Sequence, residues 1–567
     1  MSPSIFSRGR RVAGVVATLL IGVSVAAAAV LAQSAVDPKA PGAIGVTAGQ
    51  VPAQNVQAQT APLPKPSDAD ETQALYKATD GWFAPGSGAF LPADGAFDDA
   101  SGKLGVLNTS GQIDTKGHPF FEPMGANGRA CVTCHQPADA MSLSLTTIRA
   151  RWSATDGKDP MFAPVDGSDC PNLPQDKESS HSLLLNRGLF RIFLPWPPRA
   201  ADGTPIKPEF TIEVVQDPTG CNTDPVYGLK SANPMVSVYR RPRPVANMKY
   251  VVGPDHGLAA GQLFNPKNIA MPMALDPDTG KPVTMQIMSD ARDPTLKTQA
   301  VDAATSHLQM AKPPSAEQLK RIVDFEMQIY AGQAVDSRGG SLTEADGPKA
   351  LGPHNLAASP PGILGDNYDH PVFYDFNAWK TRAPNATPTQ QAFRESVARG
   401  YDIFFAKPFW IRDSQHINTV GVGNPAKRTC ATCHNQQMVG MDLASGWVDL
   451  GTQNLPWAEQ GLQSPLASGA PQLPLFKITC NAEAPPHMFL GRVIYTHDPG
   501  RALISGRCMD VGAIVMQQFR GLAARAPYFS NGSAKTLREL VDFYDRRFSI
   551  GYTDQEKEDL INFLSVL

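Results

Sequence analysis

Two short cysteine motifs constrain this chain more than any other feature. Residues 131–135 read Cys-Val-Thr-Cys-His, and residues 430–434 read Cys-Ala-Thr-Cys-His. Cys-x-x-Cys-His is the attachment sequence of a c-type haem, in which the cysteines form thioethers to the porphyrin and the histidine ligates the iron. Two copies predict two covalently bound haems, one on each of these residue sets: Cys131, Cys134 and His135, and Cys430, Cys433 and His434.

The remaining four cysteines give a second structural expectation. They are Cys170, Cys221, Cys480 and Cys508, so one pair lies in each half of the chain. No further cysteine pair is near enough in sequence to either motif to complete a tetrahedral zinc site, which argues against zinc. In an oxidising compartment such cysteines form disulfides. We expect one disulfide in each half, and four free buried thiols are the alternative.

The N-terminus has the pattern of an export signal. An arginine-rich stretch, residues 8–11, precedes an apolar run over residues 12–31, and Val30-Leu31-Ala32 resembles a cleavage site. Residues 1–32 are therefore predicted to be a signal peptide that directs the chain to the periplasm or out of the cell. A run of about 20 apolar residues also suffices for an uncleaved membrane anchor. Only in that case do we expect contact with a membrane.

Length and charge limit the organisation and the partners. A chain of 567 residues is too long for one ordinary core and suggests at least two domains. A net charge of -3 gives no reason to expect nucleic acid as a partner. The expected segments are a signal peptide at 1–32, a flexible linker at 33–71, an N-terminal haem domain at 72–335, an inter-domain linker at 336–388 and a C-terminal haem domain at 389–567.

Local patterns predict several helices and one strand. Ser315 and Thr553 each begin a capping box, which predicts a helix after each of them. After Ser315 the helical spacing of apolar residues continues to Tyr330, with Gly332 as the stop. Residues 210–215 have the composition of a β-strand. A further helix is indicated by an apolar stripe: Phe393, Val397, Tyr401 and Phe404.

Three stretches resemble the dihaem cytochrome c peroxidase superfamily. The first is the N-terminal haem motif with its lead-in, residues 117–136. The second, residues 289–300, is similar to the family's Trp-Asp-Gly-Arg…Leu…Gln-Ala segment. The third, residues 519–533, is similar to its Pro-Tyr-Phe-His-Asp-Gly segment. The resemblance implies two mostly helical domains, so the predicted fold is mainly α: two cytochrome c-like haem domains with long loops and little β structure.

The chain also departs from the family pattern at specific positions. Ser289 and Ala291 replace the Trp and Gly of the second segment, and Ser530 stands where many relatives have a histidine. The overall size and the stretch at residues 239–242, Tyr-Arg-Arg-Pro, look more like the dihaem rubber oxygenases, a branch of the same superfamily. These departures leave open which reaction the chain would catalyse.

The resemblance implies a division of labour between the haems. In the relatives, the N-terminal haem meets peroxide or dioxygen, and the C-terminal haem relays electrons from a small periplasmic donor or to an acceptor. The family also has a calcium ion between its domains, partly held by backbone carbonyls. The resemblance implies that the carbonyls of Arg525 and Pro527 would bind it here.

The second iron ligands are not determined by spacing. For the first haem, His181 is the candidate, and an open iron that binds substrate is the alternative. For the second haem, Tyr544 lies where relatives place a Met or Tyr ligand, and a phenolate can ligate ferric iron. Weaker candidates are histidines elsewhere in the two halves: His118, His256 and His307 for the first haem, and His487 and His497 for the second.

Two further residues are candidates for catalysis. The resemblance implies an oxidisable tryptophan between the haems, and Trp196 is the candidate, followed by Trp152. Glu213 is a candidate acid for proton transfer to peroxide. The predicted function is thus an exported dihaem oxidoreductase that reduces peroxide at the N-terminal haem. The alternatives are a haem-dependent oxygenase acting on an organic substrate and a dihaem electron carrier without enzymatic activity.

Overall fold

The computed structural model describes most of the chain after Thr79-Asp80, in ten stretches. They are residues 81–252, 273–280, 282–284, 287–358, 372–381, 385–414, 418, 423–434, 447–454 and 470–567. The predicted signal peptide, the linker at 33–71 and His256 lie outside them. All described residues belong to one compact unit, Ile44–Leu567. No helix in these stretches combines the length and the apolar character needed to cross a bilayer.

The strands are short and pair in small antiparallel sheets of two to four strands. In chain order they are β1 Phe90–Leu91, β2 Asp94–Asp98, β3 Gly102–Asn108, β4 Ile113–Asp114, β5 Phe190–Pro195, β6 Phe210–Gln216, β7 Met235–Arg240, β8 Met273–Leu275, β9 Pro282–Thr284, β10 Ile329–Asp336, β11 Gly340–Ser341, β12 Phe409–Ile411, β13 Ala426–Arg428, β14 Leu475–Cys480 and β15 Val493–Thr496.

The α-helices of the described stretches are numbered here in the same way. They are α1 Leu145–Thr155, α2 Ser182–Arg187, α3 Leu296–Ser306, α4 Ala316–Gln328, α5 Pro353–Ala358, α6 Pro388–Ala406, α7 Ala502–Ser505, α8 Leu537–Phe548 and α9 Asp554–Ser565. Short 3-10 turns join many of them, including one at each haem motif, Cys131–Thr133 and Cys430–Thr432.

The prediction of a mainly α fold is wrong. The structure is 30% helical and 19% strand, so β structure is a substantial part of it. The reason is that several of these strands lie in segments rich in proline and glycine, and this composition predicts loops. Strand β7 is an example: it is buried along its whole length and pairs with β5. Such strands form because a partner is available in the fold, and intrinsic propensity is a weak guide to them.

Helix α4 begins as predicted but ends earlier. Ser315 accepts a hydrogen bond from the N–H of Gln318, which completes the capping box. The helix stops at Gln328, and Tyr330 and Gly332 belong to β10 instead. Strand β10 pairs with β3 in a four-stranded sheet. The pairing with β3 supplies the backbone hydrogen bonds that these residues would have made in a longer helix.

Helices α6 and α9 pack together and confirm two predictions. The stripe on α6 is buried, from Phe393 to Phe404, and α9 begins at the capping box of Thr553. The two helices approach closely at Gly400, where a Cβ atom would lie 2.0 Å from the carbonyl oxygen of Asp559. A side chain at position 400 would therefore force the pair apart.

One sheet combines residues from both predicted haem domains. Strand β6, predicted from residues 210–215, pairs with β14, and β15 completes the sheet. Ile212 lies opposite Ile478 in the register, and both belong to one hydrophobic cluster. The boundaries at residues 335 and 389 stay predictions.

The disulfide prediction is confirmed. Cys170 pairs with Cys221, and Cys480 pairs with Cys508. The bridged residues are 51 and 28 positions apart. Closing loops of this size restricts the unfolded chain and stabilises the fold by about 4 kcal/mol each in the chain-entropy account.

Candidate functional site

The first haem motif forms one wall of a large cavity. Its 3-10 turn, Cys131–Thr133, is anchored by the N–H of Val132, which donates to the carbonyl of Phe120 at 3.0 Å. The empty space here, part of it open to solvent, is about 1350 Å³, and all three attachment side chains line it: Cys131, Cys134 and His135. The other walls come from distant parts of the chain, as far as Gln518.

His135 is prepared to ligate a metal through Nε2. Its Nδ1 lies 3.0 Å from the carbonyl oxygen of Met141, and a carbonyl can only accept, so Nδ1 carries the hydrogen. The loop returns to the ring because Ala140 and Met141 both adopt positive φ angles, 54° and 57°. Burial lowers the pKa of His135 to about 4. The imidazole is therefore neutral, with its free lone pair on Nε2.

The two cysteines of this motif are free thiols next to that histidine. Burial raises the pKa of Cys134 to about 12, and burial followed by the nearby Glu326 raises the pKa of Cys131. A wide cavity with two thiols and a neutral imidazole on one wall fits a covalent c-type haem. These residues would hold the group, and the haem would supply one-electron chemistry at its iron.

Helix α3 presents one face to this cavity. Leu296, Gln299, Ala300 and Ala303 line it, at the spacing expected for a single helical face. Gln299 belongs to the Gln-Ala of the second segment that resembles the family, so that match pointed to it. Gln299 itself was not among the predicted site residues.

His307 is the second histidine that lines the cavity. Its Nδ1 lies 2.5 Å from Asp166, and Asp166 also forms a buried ion pair with Arg129. Burial opposes ionisation of Asp166, but Arg129 and His307 outweigh it and lower the pKa of this carboxyl. The ionised Asp166 holds the hydrogen on Nδ1 of His307, so Nε2 is the nitrogen left to interact with a ligand.

His181 is buried away from the cavity. Its Nδ1 and Nε2 lie 2.7 Å and 3.0 Å from the carbonyl oxygens of Gly167 and Gln175. Both ring nitrogens are therefore engaged, and His181 packs against Trp152 at 4.9 Å between ring centroids. The structure does not bring this predicted ligand to the haem motif. Trp152 belongs to the same hydrophobic cluster as Cys134.

The two predicted catalytic residues also lie elsewhere. Trp196 follows β5 and packs against Phe210, with ring centroids 5.4 Å apart. Glu213 is on β6, with 58% of its side chain exposed, and pairs with Lys477 at 3.3 Å. Neither residue lines the cavity described here.

Glu326 is the carboxylic acid that the sequence analysis missed. It lies on α4, lines the cavity and is only 3% exposed. Its Oε2 has no hydrogen-bond partner among the described residues. Burial raises the pKa of Glu326 from 4.5 to about 8, so the carboxyl holds a proton at neutral pH. The helical spacing could have found it, because Glu326 lies seven residues after Leu319 and four after Ile322, on the buried face of α4.

The raised pKa predicts a pH-dependent loss of stability. Between about pH 4.5 and pH 8 the folded protein keeps a proton that the unfolded chain releases, so the free energy of unfolding falls as pH rises. Glu326→Gln should remove this slope and make the variant more stable than the wild type above pH 8, by up to roughly 5 kcal/mol. Denaturant unfolding at pH 5 and pH 9 measures it. Glu213→Gln, at an exposed side chain, should keep the wild-type dependence of stability on pH. The wild-type dependence in Glu326→Gln would contradict the assignment.

The second haem motif has a similar local arrangement. Cys433 and His434 are buried, and the ring centroid of His434 lies 4.4 Å from that of Phe519. Burial lowers the pKa of His434 to about 3, so this imidazole is neutral too. Its Nδ1 has no partner among the described residues. The residue that corresponds to Met141, Gly440, lies outside them.

Tyr544 lies beside the cysteines of the second motif. It is on α8, partly buried, and packs in the cluster that includes Cys430 and Cys433. Burial, and then these two thiols, raise the pKa of the Tyr544 hydroxyl. The structure therefore brings this predicted ligand to the second motif. Among the weaker candidates, His487 lies 3.7 Å from Asp449, and His497 lies 2.9 Å from the carbonyl of Pro474.

Trp447 lies between segments of the two predicted haem domains. It is buried with Ala291, Ala513 and Val515 in one small cluster. The guanidinium of Arg501 covers its ring at 4.6 Å. Ala291 has a φ of 55° at the position of the family's glycine. Trp447 thus packs on the segment where Ser289 replaces the family's tryptophan.

The calcium ion that the resemblance implies does not fit these residues. The carbonyl oxygen of Arg525 accepts a hydrogen bond from the guanidinium of Arg241 at 3.0 Å. A cation bound at Arg525 and Pro527 would meet this buried positive charge. Across the described stretches, no cluster of three His, Cys, Asp or Glu side chains could hold a metal ion by itself.

No protein-family model matches the sequence, and no curated protein matches it. The likeness to dihaem peroxidases rests on the three motif segments and stays a prediction. The function is therefore inferred from the cavity, its side chains and their contacts.

Proposed function

We propose that this protein is an exported dihaem c-type cytochrome that reduces peroxide. The haem on His135 would be the reactive centre, and the haem on His434 would relay electrons from a small periplasmic donor. The main support is the large cavity whose wall includes Cys131, Cys134 and the Nε2 side of His135. Exposed motifs without such a cavity would favour a simple electron carrier.

Proton supply is the task that the protein side chains can perform. Reduction of hydrogen peroxide to two waters consumes two electrons and two protons. Glu326 holds a proton at neutral pH inside the cavity, and Gln299 offers an amide to orient an oxygen ligand. His307, fixed by Asp166, adds a basic nitrogen to the same cavity.

Trp447 offers a route for electrons between the halves. Trp447 packs on Ala291 and Val515, and the carbonyl of Val515 accepts a hydrogen bond from Arg243 of the first cavity at 2.8 Å. Trp447 is therefore better placed than Trp196 to pass an electron between the motifs.

A second candidate is an oxygenase acting on an apolar organic substrate. One part of the cavity wall supports it, because this part is apolar: Met248, Val251, Ile287, Met288 and Leu296. Peroxide needs no such lining, whereas a hydrocarbon chain does. Dioxygen would then replace peroxide at the first haem.

Peroxide-dependent oxidation of a reduced small cytochrome tests the proposal. We expect two donors oxidised per peroxide, and cyanide binding first at the haem on His135, observed by EPR. Glu326→Gln should slow turnover at least tenfold because the cavity loses its proton, and Glu213→Gln is the matched control. Dioxygen uptake with an apolar substrate but without peroxide turnover would favour the oxygenase. Two low-spin haems that react with neither peroxide nor dioxygen would indicate an electron carrier.

A further inference from the structure

Three neighbouring arginines lack the aspartate partner that other arginines of the cavity have. Arg241 and Arg243 line the cavity, and Arg525 lies behind them. Arg241 and Arg525 are buried, and Arg243 is partly buried. Within the described residues none of the three forms an ion pair. In the same cavity, Arg129, Arg240 and Arg292 each pair with an aspartate.

The contacts of these three arginines are all to uncharged oxygens. Arg243 donates to the carbonyls of Val515 and Met516 at 2.8 Å and 2.7 Å. Arg241 donates to the carbonyl of Leu143 and, as described above, to that of Arg525. Arg525 donates to the carbonyl of Gln518 and to the side-chain oxygen of Gln517. These bonds orient the guanidinium groups but leave their charge uncompensated.

The two carboxylates that attract these arginines are bonded to other groups. Asp290, which attracts Arg243, is bonded to Arg240 and Arg292. Asp139, which attracts Arg241, accepts from the N–H of Ser144 at 2.9 Å. Burial, followed by repulsion from Arg525, lowers the pKa of Arg241 to about 10 and that of Arg243 to about 9. Both groups remain charged at neutral pH.

Uncompensated buried charge is costly, so an anion is expected at this place. The site borders a cavity that fits a haem, and a haem bears two carboxylate groups. The planar fork of arginine matches a carboxylate with two parallel hydrogen bonds. The cysteines lie on one wall, and the Arg241–Arg243 segment supplies another.

We propose that Arg241 and Arg243, with Arg525 behind them, bind the carboxylate groups of the haem attached to Cys131 and Cys134. This inference rests on the proposed haem attachment. Arg243 also reaches the second motif, because Met516 packs in one cluster with Cys433.

The test uses the mature dihaem protein with Arg243→Gln. Intact mass first establishes that two haems are present. We expect the reduction potential of the first haem to fall, because loss of a positive charge favours the ferric state, and the propionate bands in resonance Raman spectra to shift. Arg243→Lys should restore most of the potential. Arg191→Gln is the matched control, since Arg191 is buried, donates to the carbonyl of Val165 at 2.7 Å and lies outside the cavity lining.

Three outcomes would overturn the inference. The first is a potential and Raman bands in Arg243→Gln that equal those of the wild type. The second is an equal shift in Arg191→Gln, which would indicate a general loss of structure. The third is a shift of the wild-type potential on adding inorganic phosphate, which would assign the site to a free anion. A wild-type mass with fewer than two haems would instead refute the proposed function.

Discussion

A chain in which alanine replaces both Cys131 and Cys134 is expected to carry one covalent haem in place of two. The thioethers of the proposed first haem would form at these two cysteines, and the imidazole of His135 alone would leave that haem dissociable. Intact mass after periplasmic maturation measures the change directly. Peroxide turnover should fall to background, because the remaining haem lies in the second motif.

The matched control removes the disulfide of the same half. A Cys170→Ala, Cys221→Ala double variant also loses two cysteines, but neither lines the cavity. It should keep both haems and lose about 4 kcal/mol of stability from the opened loop. Two haems on the Cys131, Cys134 variant would contradict covalent attachment at the first motif.

Arg240→Met is expected to lower the free energy of unfolding by about 3–5 kcal/mol. Arg240 is 2% exposed and pairs with Asp290 at 2.5 Å and Asp498 at 2.7 Å. Arg292 still neutralises part of the charge on Asp290 after the substitution, whereas Asp498 loses the guanidinium that binds both its oxygens. A buried carboxylate without a partner is strongly destabilising.

Denaturant unfolding of the dihaem protein measures this cost. Lys103→Met is the control, because the Lys103–Asp98 pair is exposed on both sides, 49% and 78%, and should contribute at most about 1 kcal/mol. Equal losses of unfolding free energy in the two variants would show that the buried ion pairs of Arg240 stabilise the fold no more than the exposed pair does.

Features encoded in neighbouring residues were predictable from the sequence. The helix starts at Ser315 and Thr553 were correct because a capping box is complete within four residues. The two disulfides were predictable for a different reason, because only four cysteines lie outside the Cys-x-x-Cys-His motifs. By contrast, β10 replaced the predicted helical end at Tyr330. Local sequence could not predict this strand, because its partner β3 lies more than two hundred residues earlier.

The same distinction applies to the candidate site. His181 and Glu213 were chosen by proximity to the motif or by strand composition, and neither feature determines which side chains face a cavity. His307 and Glu326 reach it because α3 and α4 pack over the first motif from far along the chain. A charge pattern could not have revealed them either, since Asp166 meets His307 only in the folded protein.

The segments that form the walls of the first cavity lie far apart in the chain, so they would emerge at different times during export. In the proposed export, Cys131 and His135 would leave the channel long before Val515, Met516 and Gln518, which hold Arg243 or line the cavity. A chain that emerges from its N-terminus therefore presents the first motif in the open, with its thiols exposed to the attachment machinery. Closure follows only when the C-terminal segment arrives. The C-terminal part of the wall would thus separate attachment of the proposed haem from its enclosure, without any movement of the finished fold.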